Sequence, residues 1–529
     1  MGENNNLHHR QLTQKKHLWM LKCTVLLIAI ATATLPLRSK DCVADKPLSE
    51  DGYYSMTIAR NIAMGKGITI EGSTLTNGFQ PFFTFLVVPA FFLAGEDKFI
   101  ALRYIMVLHW LFYIATAYLL GLIAYDTLPA QESEKKSLLF WLTAFVYLAS
   151  VYVLLNHFNG LETGCLLFFY SLIWRCYQIG MFEKGRGPLL LGSILGLVIF
   201  VRVDAVFLVI TIALYQILSN RQSKPFDRCK KFTTIAGMAF LVSSPWWLYN
   251  LIGFGSVMPT SGVAQQDWTL SLGRVGHALS AFFQTTMPLI YVSRFGGIGA
   301  DVIRVVITAT VIVFVWKMRH NLIPASAYDF PPNLLLKRTL EFGRCLLIST
   351  LSLVLWYAFS SYAYWFYGRY FSPMFLFSTL CISYLLLQLC SNTPKVLPIL
   401  SLVLCVPLLS SVGFLHTGKI ILGNLRYTDQ LQLVKQYVPD EEYVAAANSG
   451  TLGYFRDRVV NLDGKVNPDA LKFRNKIWMY LKEREIHWFC DWPNVATSCL
   501  RKNPDEHGWR LMGKKGSFEL YHYDEQFSY

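Results

Sequence analysis

The chain has 529 residues, 53% of them hydrophobic and only 16% charged, with a mean hydropathy of +0.36. Soluble domains carry roughly a quarter charged residues, so a water-soluble class is excluded and the recurring apolar runs mark a polytopic membrane protein. The formal net charge of +14 does not mark a nucleic-acid binder, because the basic residues cluster in short loops between apolar runs, where the positive-inside rule puts them.

Residues 1–17 form a basic tail, and Lys15, Lys16 and Lys22 hold it in the cytosol. The first apolar run, about 18–36, reads as an uncleaved anchor rather than a signal peptide, since its basic flank is long. A first external loop follows over 37–99. It contains "SEDGYYSMTIARNIAMGKG", Ser49 to Gly67. Ser49 suits the cap of a helix beginning at Glu50, with two carboxylates in the first turn. Tyr54, Ile58 and Ile62 recur at a spacing of four and form an apolar stripe. Arg60 lies about half a turn round from Asp51 and cannot neutralise it within the helix. Glu50 and Asp51 thus lack a local partner, and either a simple capped helix or a general base explains them.

Further apolar runs lie at about 79–95, 100–124, 137–157, 162–180, 188–201, 204–219, 232–251, 299–317, 343–363, 370–390 and 396–416. If all of them cross, three basic loops land outside: the one with Arg175, Lys184 and Arg186, the one from Asn220 to Lys231, and the one from Lys317 to Arg344. The run at 79–95 is short, rich in Phe and holds Pro81 and Pro89, which suits an interfacial or re-entrant element. Without it, all three loops return to the cytosol. The expected architecture is a polytopic α-helical membrane domain over 18–419 with about eleven spans, the N-terminus cytosolic and the C-terminus external.

On this topology several polar residues in apolar context converge on the external face. Glu162 in "NGLETG" (Asn159–Gly164) is a membrane-edge acid, either a helix-start acid in water or one facing a cavity. Arg202 and Asp204 interrupt an apolar stretch, as a local ion pair or as an arginine aimed at an anion. Arg103 and Arg369 stand at external helix edges, where snorkelling is the plain reading. Arg369 has aromatic neighbours, Tyr364, Trp365, Tyr367 and Tyr370, which suits a phosphate at headgroup level. His157 receives no role. No Walker A, GxGxxG or GxSxG motif supports nucleotide or serine-hydrolase chemistry. Asp41, Asp45, Glu50 and Asp51 are the one loose set that could hold a divalent metal, and no cofactor is otherwise indicated.

From about 420 to 529 the composition turns polar. Strands are expected near Tyr443–Ala447, Arg458–Leu462, Ile486–Trp492 and Ser517–Tyr523, with a helix over Pro468–Glu485. This is a small external α/β domain. Cys490 and Cys499 lie in it and can pair outside the cytosol.

The ordered set of motifs resembles GT-C superfamily glycosyltransferases, and among them bacterial membrane enzymes of the dolichyl-phosphate-mannose-protein mannosyltransferase-like group. The motifs are "EDGYYSMTIARNIAMGKG" with the later "TNGFQP", then "NGLETG", "VRVD", "FGSVMPTSG", "GRYF" and "NSGTLGYFRDRVVNLDGKVN". Glu50 departs from that group, which more often has Asp there, and Gln80 stands where His is common. The resemblance implies juxtamembrane helices in the first external loop and transfer of a sugar from a polyprenyl-phosphate donor to a lipid, glycan or protein hydroxyl, in a bacterial inner membrane, with no nucleic acid involved. Glu50 or Asp51 would be the base and Glu162 would orient the acceptor or raise the base's pKa. Arg103, Arg202 and Arg369, with Tyr370, would hold the phosphate, and Asn77 and Asp204 would support the site. The rival readings are a transporter or flippase of lipid-linked sugars, and an oligosaccharide polymerase or ligase. Transporters commonly show repeat halves, and this chain has none.

Overall fold

The computed structural model describes residues 2–183, 185–219, 224–269, 271–289, 334–393, 395–418 and 426–528. Six described helices are long and apolar enough to cross a membrane: Lys15–Leu37, Lys98–Tyr125, Pro225–Phe254, Leu334–Ser360, Met374–Ser391 and Val396–Thr417. The run expected at 137–157 is a bent pair instead, with Ala130–Leu148 and Val151–His157 meeting at 68°. Ser150 makes the break, its hydroxyl accepting from the Val153 amide at 3.2 Å and so capping the second piece. Counting that pair as one span gives seven. The other expected crossings fall on shorter helices, Thr163–Gln178, Gly187–Val201 and Val206–Ser219, except that at 299–317, which lies outside the described residues. The chain is an integral membrane protein.

Pro81–Ala94 is a helix of 14 residues. At 1.5 Å per residue it is about 21 Å long, short of a hydrocarbon core of about 30 Å. Pro81 sits in its first turn, where a missing N–H costs nothing. Lys98–Tyr125 starts cleanly because the Asp97 carboxylate accepts from the Phe99 and Ile100 amides at 2.8 and 3.0 Å.

The C-terminal domain carries a five-stranded sheet with the order β2-β1-β3-β5-β4, where β1 is Val444–Ala446, β2 Val459–Asn461, β3 Trp488–Asp491, β4 His507–Lys515 and β5 Phe518–Ser528. β1 pairs in parallel with β2 and β3, while β5 runs antiparallel to both β3 and β4. Alternation sends Ala445, Val460 and Phe489 into one apolar cluster and Val444, Val459 and Cys490 into another on the opposite face. Cys499 belongs to the first cluster and Cys490 to the second, so the two do not pair, and both thiols are buried and free. The helix expected over 468–485 is two pieces, Pro468–Lys472 and Ile477–Glu483, separated by a turn that holds Asn475. β4 has no counterpart among the expected strands.

This domain packs on the first loop. Arg60 on the helix Glu50–Ala63 donates to the Tyr454 carbonyl at 2.6 Å and pairs with Asp457 at 2.9 Å. Tyr454 OH in turn donates to the Lys98 carbonyl at 2.7 Å. Residues some four hundred positions apart are thereby brought to one place.

Candidate active site

The helix Glu50–Ala63 begins as anticipated. The Ser49 hydroxyl accepts from the Gly52 amide at 3.2 Å and donates to the Asn159 carbonyl at 2.9 Å. The cap therefore also docks this helix on the "NGLETG" turn. Successive residues on a helix point about 100° apart, and Glu50 and Asp51 follow that rule into different surroundings.

Glu50 faces the C-terminal domain. Its carboxylate accepts from the Gly450 amide at 2.6 Å, from the Thr451 amide at 3.1 Å and from the Thr451 hydroxyl. These are the first donors of the short helix Gly450–Phe455. Gly450 is needed for this approach, because a Cβ there would stand 2.2 Å from the Glu50 carbonyl oxygen. Burial pushes the Glu50 carboxyl up to about 7 despite those donors.

Asp51 faces a cavity of about 270 Å3. One oxygen lies 3.1 Å from the Arg369 guanidinium and the other 3.1 Å from the Lys465 ammonium. Burial alone would raise this carboxyl, but Lys465 and Arg369 outweigh it and hold it below the usual carboxylate range. Glu162, Arg202, Asp204 and Tyr370 line the same cavity. Arg202 Nε is 2.9 Å from Asp204 and its terminal nitrogen 3.7 Å from Glu162. The Arg202 guanidinium lies 4.7 Å from the centre of the Tyr370 ring and donates to the Arg369 carbonyl at 3.2 Å. Tyr357 OH donates to Asp204 at 2.9 Å, and Tyr370 OH donates to Gln265 at 3.0 Å. The "VRVD" and "GRYF" motifs therefore meet as one network with "NGLETG".

Asn77 stands behind the wall rather than in it. It donates to Asn250 at 3.1 Å and accepts from the Thr260 amide at 3.0 Å, which ties "FGSVMPTSG" to the first loop. Gln80 lines the cavity and accepts from the Val203 amide at 3.2 Å.

Two of the nominated residues, Arg103 and Glu50, lie apart from the cavity, and the loose acidic set does not come together. Arg103 is not at the cavity: it lies in the first turns of Lys98–Tyr125 and donates to the Arg38 carbonyl at 3.2 Å. Glu50 is one helical step away from the cavity and its acceptors are committed to Gly450 and Thr451. Asp41, Asp45, Glu50 and Asp51 do not assemble, and among the described residues no three His, Cys, Asp or Glu side chains form a metal-holding group. Lys465, Tyr357 and Gln265 were not singled out from the sequence. The signal for Lys465 was its place in "NLDGKVN", a stretch marked only by resemblance.

No family model matches the sequence, and no curated protein matches it. The fold does match solved membrane proteins. The crystal structure of ArnT from Cupriavidus metallidurans bound to undecaprenyl phosphate aligns over 96% of this chain and 98% of its own, with a TM-score of 0.53 and 9% identity. The apo oligosaccharyltransferase of Archaeoglobus fulgidus aligns over 96% of this chain and 74% of its own, with a TM-score of 0.52 and 10% identity. This chain shares the fold of those two membrane proteins. At such identities the likeness is one of fold, and the chemistry must be argued from the cavity itself.

Proposed function

We propose that this GT-C chain is an inverting glycosyltransferase that moves a sugar from a polyprenyl-phosphate donor to an acceptor hydroxyl. The observation that carries this reading is Asp51, a carboxylate held ionised in a semi-enclosed cavity beside Arg369, with Arg202 and Glu162 across from it. Asp51 takes the proton of the acceptor hydroxyl as its oxygen attacks the anomeric carbon. The bond from that carbon to the phosphate oxygen breaks, and its electron pair leaves on the phosphate. Arg369 stabilises the charge that develops there. Arg202 is already balanced by Asp204 and Glu162, so it fixes the positions of those acids and of the Tyr370 ring. Glu162 is then placed to orient the acceptor. The neighbour whose structure holds undecaprenyl phosphate supports a donor of that lipid class, and the positive-inside rule supports a cytosolic N-terminus and an external cavity in a bacterial inner membrane.

The test is to offer the full-length protein, reconstituted in vesicles, a radiolabelled polyprenyl-phosphate sugar together with a membrane extract as acceptor. Covalent movement of label is expected. Label that crosses the bilayer with no covalent transfer overturns the reading in favour of a transporter.

A further inference from the structure

The transferase reading leaves Lys465 and the charge balance of the cavity without a role. Among the described residues, the charged side chains that line it are three acids, Asp51, Glu162 and Asp204, and three cations, Arg202, Arg369 and Lys465. A phosphate entering such a balanced cavity must take cations from the resident acids. Arg202 is the poorest source, since two carboxylates hold it. Arg369 and Lys465 instead converge on one carboxylate, Asp51. Arg369 also keeps its Nε buried and, among the described residues, without a hydrogen-bond partner, a donor in reserve. Lys465 has three donors and a second acid, Asp463, at 3.4 Å.

The placement of Lys465 is built in from both sides. It follows β2 through a turn in which Asp463 accepts from the Lys465 amide at 2.8 Å and Gly464 takes φ +74°. Tyr54, one turn along the first-loop helix from Asp51, donates to Asp463 at 3.2 Å. The Lys465 backbone lies flat on Gly78 of the "TNG" motif, where a Cβ would stand 1.8 Å from the Lys465 carbonyl oxygen. The ammonium is set 5.0 Å from the centre of the Phe366 ring, next to Arg369.

We propose that Lys465, from the C-terminal domain, is a ligand of the donor phosphate, and that with Arg369 it exchanges Asp51 for that phosphate when the donor enters. This rests on the transferase reading and deepens it. The exchange has a consequence for order: Asp51 is a weak base while two cations hold it, and it gains basicity as the phosphate draws them away. Donor binding thereby prepares the base for the acceptor.

The test measures binding of undecaprenyl phosphate to the full-length protein in lipid nanodiscs, with wild type, Lys465→Met, Lys465→Arg and Asp51→Asn. Losing a charge-assisted contact should weaken binding by Lys465→Met about tenfold or more, and Lys465→Arg should restore most of it. Asp51→Asn should bind more tightly than wild type, because the cations lose their competitor. Lys465→Met binding as wild type does overturns the assignment. If that variant does not fold, the Asp51→Asn arm decides, and unchanged or weaker binding by it overturns the exchange. No binding by the wild type is a separate result, which removes the polyprenyl-phosphate donor reading itself.

Discussion

Glu50 and Asp51 are adjacent carboxylates in the first turn of one helix, Glu50 buried and Asp51 largely so, yet the two sides of that helix treat them oppositely. On the side of the C-terminal domain, Glu50 meets neutral donors from Gly450 and Thr451, and burial wins, raising its carboxyl to about 7. On the cavity side, Asp51 meets Lys465 and Arg369, and their charge outweighs burial. Burial sets a common penalty; the charge of the partner decides its outcome. The first arrangement fastens a domain. The second holds an ionised carboxylate against the cavity.

The sharpest way to break this comparison is to neutralise each acid in turn. Asp51→Asn keeps the shape and removes the proton acceptor, so transfer from a polyprenyl-phosphate sugar should fall about a hundred- to ten-thousand-fold, with an unchanged gel-filtration profile. Glu50→Gln should leave kcat within about tenfold of wild type, since the groups that donate to its carboxylate, Gly450 and Thr451, do not line the cavity. Equal losses in the two variants would erase the distinction between fastening and chemistry.

A gentler probe moves the contact between the two sides. Gly78→Ala forces a methyl group against the Lys465 backbone, and overpacking of this kind costs about 1–3 kcal/mol. The expected outcome is a raised donor KM with a smaller change in kcat, because Lys465 shifts while Asp51 stays on its own helix. A KM equal to that of wild type would mean that the turn holding Lys465 adapts freely.

Glu50 itself gives a pH signature. Its folded carboxyl sits at about 7 against an ordinary value near 4.5, so the folded chain binds that proton more readily than the unfolded chain. The stabilisation is complete below about pH 4.5 and is lost as pH rises through about 7. The melting temperature in detergent should therefore decline between about pH 5 and about pH 8 in wild type, and more shallowly in Glu50→Gln. A steeper decline in the variant would contradict the neutral-donor environment of Glu50.

What was legible in the sequence follows the range of the interactions. Among the described residues, most apolar runs, the short Pro81–Ala94 segment and four of the five strands are written in local apolar patterns and fall on helices or strands, though the run at 137–157 breaks into a bent pair. β4 escaped because most of its residues are exposed or half-buried, so it carries little alternation. Asp51, Glu162, Arg202, Asp204, Arg369 and Tyr370 could be nominated because each is polar in apolar surroundings, and they meet in one cavity. The different surroundings of Glu50 and Asp51 could not be read, since they depend on Gly450, Thr451 and Lys465, some four hundred residues along the chain. Arg103 shows the converse failure. It has the same sequence signature as Arg369, a cation at a helix edge, but it donates to the Arg38 carbonyl and does not line the cavity.

That contrast makes the smallest expected effect an informative one. Arg103→Lys keeps a positive charge and a donor for the Arg38 carbonyl, and should change the donor KM by less than about twofold. Arg369→Lys also keeps its charge but loses the planar fork that can meet Asp51 and a phosphate together, so its KM should rise well beyond that. The pair separates a requirement for positive charge at the membrane edge from a requirement for a guanidinium in the cavity. If charge alone mattered, both variants would behave as wild type. If Arg103→Lys raised the KM as far as Arg369→Lys, the phosphate would have to lie along Lys98–Tyr125, outside the cavity that Asp51 faces. The assignment of Asp51 would then fail with it, because no acceptor hydroxyl within reach of Asp51 could attack a sugar held there.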